Sequence, residues 1–189
     1  MSSQDWKWKI GEAVERLRTR YEHIGRKTGY PFLALVYPCD AEQAVLSEWR
    51  TQTEALRPDI DVRTVDVLRA TQRKLDEIGA EEIVEAITNP LPGSNPASEL
   101  GDLWAQAVVE EVRAAFSRPA TGKPVIALER LAALHPAAGP RDVMQKLWDS
   151  SQAELDGPLV VLIPGRLVEA RTYLFVEERS EFMYRGDVL

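Results

Sequence analysis

Pro31-Phe-Leu-Ala-Leu-Val-Tyr37 and Pro158-Leu-Val-Val-Leu-Ile163 are the two stretches that decide the fold class of this chain. Each is a short, continuous apolar run with a proline on both sides, which is typical of a strand buried on both faces of a parallel sheet. Two more strands are predicted over Ile60 to Val67, where β-branched residues alternate with polar ones, and over Lys123 to Glu129. A fifth strand, from Arg171 to Val176, is predicted to run antiparallel to the one before it.

Helical periodicity fills the segments between these strands. Apolar residues three and four positions apart predict helices that begin near Asp40, Ala70, Ser98 and Gly139-Pro140. We expect Asp40 and Ser98 to cap their helices, Gly79 to divide the second helix, and Pro164-Gly165 to form a turn. Strands that alternate with helices predict a three-layer α/β domain with a mainly parallel, Rossmann-like or P-loop-like sheet.

An amphipathic helix is predicted to precede the sheet. Its apolar residues fall on one helical face and charged residues cover the other; the apolar set is Trp6, Ile10, Ala13, Val14, Leu17, Tyr21 and Ile24. We expect a single α/β domain over residues 1–189. In it, residues 1–28 hold the N-terminal helix, residues 30–176 the sheet core, and residues 177–189 a C-terminal tail.

The five tryptophans fall into two groups. Trp49, Trp104 and Trp148 lie on apolar helical faces, so we expect them in the core. Trp6 and Trp8 are two positions apart, and a helix cannot bury both on one face. Because exposed tryptophan is enriched at interfaces, Trp6 and Trp8 are candidate residues for contact with a partner chain.

Composition excludes several classes of protein. The 189 residues include 23 Lys and Arg against 30 Asp and Glu, a net charge of −7, which disfavours broad binding to nucleic acid or to a membrane surface. The single cysteine, Cys39, cannot form an internal disulfide. No apolar run approaches the roughly 20 residues of a membrane span, and the N-terminus lacks the apolar region of a signal peptide. We therefore expect a cytoplasmic protein.

The carboxyl ends of the strands are where an open α/β sheet binds its ligands. The turn after the first strand, Tyr37-Pro-Cys-Asp-Ala-Glu-Gln, lacks the glycines of a phosphate-binding loop and carries acidic residues where phosphate would lie. Cys39, Asp40, Glu129 and Arg166 are candidates to line a cleft at these ends. Neither histidine follows a strand end, so no nucleophile–base pair is indicated, and two histidines and one cysteine, widely spaced, do not make a metal site. With no glycine-rich loop after the first strand, we expect no cofactor. We assign no catalytic residue.

The sequence has distinctive residue patterns in Phe32 to Pro38, in Gly157 to Gly165 with Arg171 to Phe175, and in Phe182 to Leu189. These segments resemble the BrxB family, small cytoplasmic proteins of bacteriophage-exclusion (BREX) defence systems, and Tyr184-Arg185 matches the Tyr-Arg near the end of the family pattern. The resemblance implies a non-catalytic subunit that bridges larger partners: a PglZ-like phosphatase-fold protein, a BrxC-like ATPase and a DNA methyltransferase. Tyr184 and Arg185 are then candidate interface residues.

Two other functions stay open on the sequence. One is a nucleotide-binding or hydrolytic enzyme that uses the cleft at the strand ends. The other is a DNA-binding module built on a local basic cluster, which comprises Arg16, Arg18, Arg20, Arg26 and Lys27. A second copy of the chain is a further candidate partner, with the N-terminal helix between the two copies.

Overall fold

The computed structural model describes residues 5–24, 31–150 and 155–189. Its helices are α1 (Asp5–Arg20), α2 (Glu42–Glu54), α3 (Val67–Ile78), α4 (Ala80–Thr88), α5 (Pro96–Phe116) and α6 (Pro140–Ser150). Its strands are β1 (Phe32–Tyr37), β2 (Ile60–Asp66), β3 (Lys123–Glu129), β4 (Leu159–Glu169), β5 (Thr172–Phe175), β6 (Arg179–Phe182) and β7 (Asp187–Val188). The predicted boundary between the N-terminal helix and the sheet, at residues 28–30, lies outside the described residues.

Five parallel strands form the main sheet, in the order β2-β3-β4-β1-β7. β1 and β4 pair along their apolar runs, from Phe32 opposite Leu159 to Tyr37 opposite Pro164. Both runs are fully buried, as expected of inner strands of a parallel sheet. The order differs from the 3-2-1-4-5-6 and 2-1-3-4-5 orders of the common doubly wound folds. The predicted α/β class with a mainly parallel sheet is confirmed.

Helices cover both faces of this sheet and enclose two hydrophobic cores. α1 and α2 pack on one face, where Leu35 of β1 and Trp49 of α2 belong to the same core. α3, α5 and α6 pack on the other face, where Val36 of β1 enters the second core. Successive residues of a strand point to opposite faces, so one strand supplies both cores. The result is the predicted three-layer arrangement, with an N-terminal helix at its start.

Two predicted helix caps are wrong. Asn95, and not Ser98, caps α5: its side-chain oxygen accepts a hydrogen bond from the backbone N–H of Ser98 at 3.3 Å. Glu99 completes the cap, since its carboxylate accepts from the backbone N–H of Asn95 at 3.1 Å. Asp40 lies within a short 3₁₀ turn, Cys39–Ala41, and α2 begins after it without a side-chain cap.

The predicted turn at Pro164-Gly165 is also wrong, because β4 continues to Glu169, past the carboxyl ends of its parallel neighbours. Gly165 has a φ of +150°, and a Cβ there would collide with the carbonyl oxygen of Leu174, so only glycine lets β5 approach this closely. β5 pairs antiparallel with β4, as predicted, and β6 pairs antiparallel with β5. The part of β4 from Gly165 onward, with β5 and β6, is referred to below as the meander. β6 and β7 lie within the predicted tail.

Glu181 of β6 joins the meander to the start of α6. The residue is buried, and its carboxylate accepts a hydrogen bond from the Tyr173 hydroxyl at 2.7 Å and one from the backbone N–H of Arg141 at 3.0 Å. The guanidinium of Arg179 lies 2.9 Å from its other oxygen. A carboxylate at a helix N-terminus is stabilised by the unpaired amides there. Burial nevertheless raises the pKa of Glu181 above its ordinary value, because these donors only partly offset the loss of water.

This raised pKa predicts how stability depends on pH. Between the ordinary glutamate pKa and the higher folded-state pKa of Glu181, the native protein binds more protons than the unfolded chain, so this residue lowers stability as pH rises. Urea unfolding of wild type and Glu181→Gln at several pH values should show wild type losing stability relative to the variant from about pH 4.5 upward. The exposed Glu169→Gln serves as control. A stability difference between wild type and Glu181→Gln that is constant with pH would contradict the assignment.

Candidate functional site at the carboxyl edge of the sheet

The ends of β1, β2 and β3 and the midpoint of β4 form one edge of the parallel sheet, referred to below as the carboxyl edge. Three of the predicted site residues lie where their strands end: Cys39 and Asp40 are exposed just after β1, and Glu129 is fully buried as the last residue of β3. Arg166 lies in the meander beyond this edge and is exposed. Three of the four residues therefore lie at the ends of parallel strands and the fourth in the meander, and their environments differ.

Glu129 is held by side chains from two neighbouring elements. Arg50 of α2 forms a two-point ion pair with the carboxylate, in which Nη2 contacts Oε2 and Nε lies 3.4 Å from Oε1. The Thr64 hydroxyl of β2 donates to Oε1 at 3.2 Å. The hydrogen bond to Glu129 is the main cause that raises the pKa of Arg50. The carboxylate that ends β3 therefore faces a cation of its own chain.

Asp66, the last residue of β2, is also paired with arginine. Its carboxylate caps α3 by accepting from the backbone N–H of Arg69 at 3.3 Å. The Arg130 guanidinium, next along the chain from Glu129, lies 3.2 Å from the same side chain. Arg130 has left-handed backbone torsion angles, with φ 60° and ψ 43°, a conformation uncommon for a residue other than glycine. The chain thus turns sharply after β3, and Arg130 lies beside Asp66.

Tyr37 is the last residue of β1 and lies at the carboxyl edge. Its ring is fully buried, and its hydroxyl donates to the carboxylate of Glu42 at 3.0 Å. Burial, followed by the charge of Glu42, raises the pKa of this hydroxyl, and Cys39 and Glu129 raise it further. Cys39 and Glu129 therefore both lie near this phenol. The hydroxyl stays protonated at neutral pH and does not act as a base.

The meander lies over the end of β1. Arg166 donates from Nε to the carboxylate of Glu177 at 2.7 Å, in the turn between β5 and β6. Glu177 also lies close enough to raise the pKa of Cys39, although partial burial of the thiol is the larger cause. A raised pKa leaves less of the thiol as thiolate, the nucleophilic form, at neutral pH. Within the described residues, this edge holds no activated nucleophile, and its arginines pair with its own carboxylates.

Sequence reasoning missed Tyr37, Arg50, Thr64 and Asp66 as residues of this edge. A signal was present for Asp66, since an aspartate between a strand and a helix is a typical N-cap. No local signal exists for Arg50, whose partner lies 79 positions away along the chain. Only the packing of α2 on the sheet brings the two together.

The predicted interface residues differ in exposure, and Arg185 is half-buried. Trp6 is only 7% exposed and belongs to the core under α1, whereas Trp8 is 63% exposed. Trp6 is thus unavailable to a partner, and Trp8 is the available member of the pair. Tyr184 is exposed, with its ring edge-on to Phe182 at 4.8 Å between centroids. Arg185 lies over the ring of Trp148, at 5.2 Å from its centroid.

The basic cluster considered for DNA binding is partly neutralised within α1. Arg16 is paired with Glu12 at 2.7 Å, and Arg18 with Glu15. Arg26 and Lys27 lie outside the described residues. Over residues 5–24, 31–150 and 155–189, no three His, Cys, Asp or Glu side chains are grouped to hold a metal ion. Nor is any helix of that part long and apolar enough to cross a membrane.

Comparison of this chain with protein-family models, with curated proteins and with solved structures found no match in any of the three.

Proposed function

We propose that this chain is a non-catalytic assembly subunit of a bacterial BREX phage-defence complex, in which it bridges larger partners. One observation carries the non-catalytic part: the carboxyl edge, where α/β folds bind ligands, is occupied by ion pairs of the chain itself. Glu129 is satisfied by Arg50 and Thr64, and Asp66 by Arg130. A ligand at this edge would have to displace those contacts or the meander above it.

The surface supports the interaction part of the proposal. Large apolar side chains are exposed at several separate places, among them Trp8 on α1, Tyr184 near the C-terminus and Val84 on α4. Aromatic residues in particular are enriched where proteins bind one another. These positions leave more than one surface available, as a bridging subunit requires.

The resemblance to the BrxB family supports the BREX complex in this proposal. The segments that carry it form β1, β4, β5 and the C-terminal residues that include Tyr184. The partners proposed on this ground are the PglZ-like protein, the BrxC-like ATPase and the DNA methyltransferase. The net charge of −7 favours protein partners over direct contact with DNA.

Co-purification from the native operon tests this function. The tagged chain should recover at least one of the three larger partners at several salt concentrations. Recovery of the chain alone at every salt concentration would contradict the proposal. A panel of ATP, GTP and dinucleotides at millimolar concentration should leave the melting temperature unchanged, because only a ligand that binds the native state stabilises it. A clear shift with one of them would favour a nucleotide-binding enzyme instead.

A further inference from the structure

α4 is an amphipathic helix whose apolar residues are only partly covered by the described structure. None of its residues is buried: Ile83 is half-buried, and Val84 and Ile87 are 62% and 51% exposed. A helix of nine residues has little stability of its own, and in globular proteins such helices are held by burial of an apolar face. The apolar face of α4 therefore remains exposed, where a binding partner could bury it.

The negative charge of the chain is concentrated around this helix. Residues 75–101 contain six Asp and Glu and no Lys or Arg, in a chain whose net charge is −7. Four of these acids, Glu81, Glu82 and Glu85 of α4 and Glu99 of α5, line one open cleft of about 640 Å³. Leu91, which is 76% exposed, lies in the same cleft. Acidic and apolar groups therefore occur side by side.

These glutamates are not neutralised by the fold. Across the described residues, none of the four takes part in an ion pair; Glu85 accepts from the Asn89 side chain and Glu99 from the backbone of Asn95. Glu81 lies one helical turn before Val84, so the acidic flank of α4 adjoins its apolar face. Like charges this close repel one another and favour a cationic partner.

We infer that α4, the loop of residues 89–95 and the first turn of α5 form the docking surface for a basic, amphipathic segment of a partner protein. Apolar residues of that segment would cover Val84, Ile87 and Leu91, while its Lys and Arg residues would face the four glutamates. This inference rests on the proposed function and specifies which surface and which partner chemistry it uses. The acidic charge repels nucleic acid and anionic membranes from the same place.

Two sets of substitutions in the full chain test this surface in the co-purification assay. Val84→Glu with Ile87→Glu removes the apolar contact, and Glu81→Lys, Glu82→Lys and Glu85→Lys together reverse the charge. Each set should lower recovery of the partner at least tenfold relative to wild type, while the equally exposed Val168→Glu of the meander should not. Rising salt should weaken the wild-type complex, since the contact is partly ionic.

The outcomes separate the two proposals. If wild type recovers no partner, the proposed function fails and the docking surface with it. If wild type recovers a partner that both α4 variants retain, the function stands and the docking surface is wrong. If light scattering shows a wild-type dimer that becomes a monomer in the α4 variants, the occupant is a second copy and the inference is overturned. Circular dichroism checks that each variant folds. The triple variant Glu81→Gln, Glu82→Gln and Glu85→Gln is the matched control, since it removes the charge without changing the size of the side chains.

Discussion

Trp49→Ala is expected to lower the free energy of unfolding by about 4 kcal/mol. Trp49 is the largest fully buried side chain among the described residues. It anchors α2 in the core shared with α1 and the sheet. Truncation would remove the largest apolar side chain that α2 buries and leave a cavity that the packed strands beneath cannot fill. Equilibrium urea unfolding followed by circular dichroism measures the loss.

Trp49→Phe is the matched control for this substitution. Within the described part of the chain, the buried indole N–H of Trp49 has no hydrogen-bond partner. Phenylalanine removes this unpaired donor and keeps most of the apolar volume, so the two effects oppose each other and the loss should be about 1 kcal/mol or less. If Trp49→Ala and Trp49→Phe lower the free energy of unfolding by the same amount, Trp49 does not anchor α2 through its volume.

β1 and the first half of β4 could be predicted from sequence because burial on both faces leaves a continuous apolar run. The second half of β4 could not, because Pro164-Gly165 has the local signature of a turn. The glycine is required there for another reason: its φ of +150° and the close approach of Leu174 allow the strand to pass into the meander. A local signal of this kind does not distinguish a turn from a close contact between strands.

The spacing of apolar residues likewise predicts that a helix exists better than it predicts what covers the helix. Gly79 does divide the predicted second helix into α3 and α4, with a φ of +98° between them. The apolar pattern of Ile83, Val84 and Ile87 would ordinarily indicate a buried face. In the structure Val84 and Ile87 are exposed, and the sequence contains no feature that distinguishes a face covered by its own fold from one left for a partner.

The candidate site could likewise be predicted only in part. Because parallel strands end at one edge, the sequence could place Cys39, Asp40 and Glu129 together. It could not predict that Glu129 is paired with Arg50, since the two meet only through the packing of α2 on the sheet. This pairing is a tertiary property, and it favours internal ion pairs over a ligand cleft at Glu129.

Arg50→Ala is expected to lower the free energy of unfolding by about 2 kcal/mol, because it leaves the carboxylate of Glu129 buried without its cation. The side chain of Arg50 is 53% exposed, so water can enter in its place and the cost falls below that of breaking a fully buried pair. Glu129→Met should cost less than Arg50→Ala, since the guanidinium that remains can turn into solvent.

The double variant Arg50→Met with Glu129→Met removes both charges and fills the space with apolar side chains. Its stability should lie within about 1 kcal/mol of wild type, because apolar residues often replace a buried ion pair with little loss. A double-mutant cycle measured by urea unfolding, with Arg50→Met and Glu129→Met as the single variants, gives the coupling between the two residues. The exposed pair of Arg57 and Glu54 is the control, and its coupling should be no more than about 0.5 kcal/mol.

The sign of this coupling bears directly on the proposed function. A favourable coupling means that Arg50 and Glu129 stabilise each other in the place a ligand would occupy, so a ligand there must first break that interaction. If the costs of the two single variants simply add in the double variant, Arg50 and Glu129 do not stabilise each other. Arg50 would then be available to an anionic ligand, and the observation that supports a non-catalytic role would be lost.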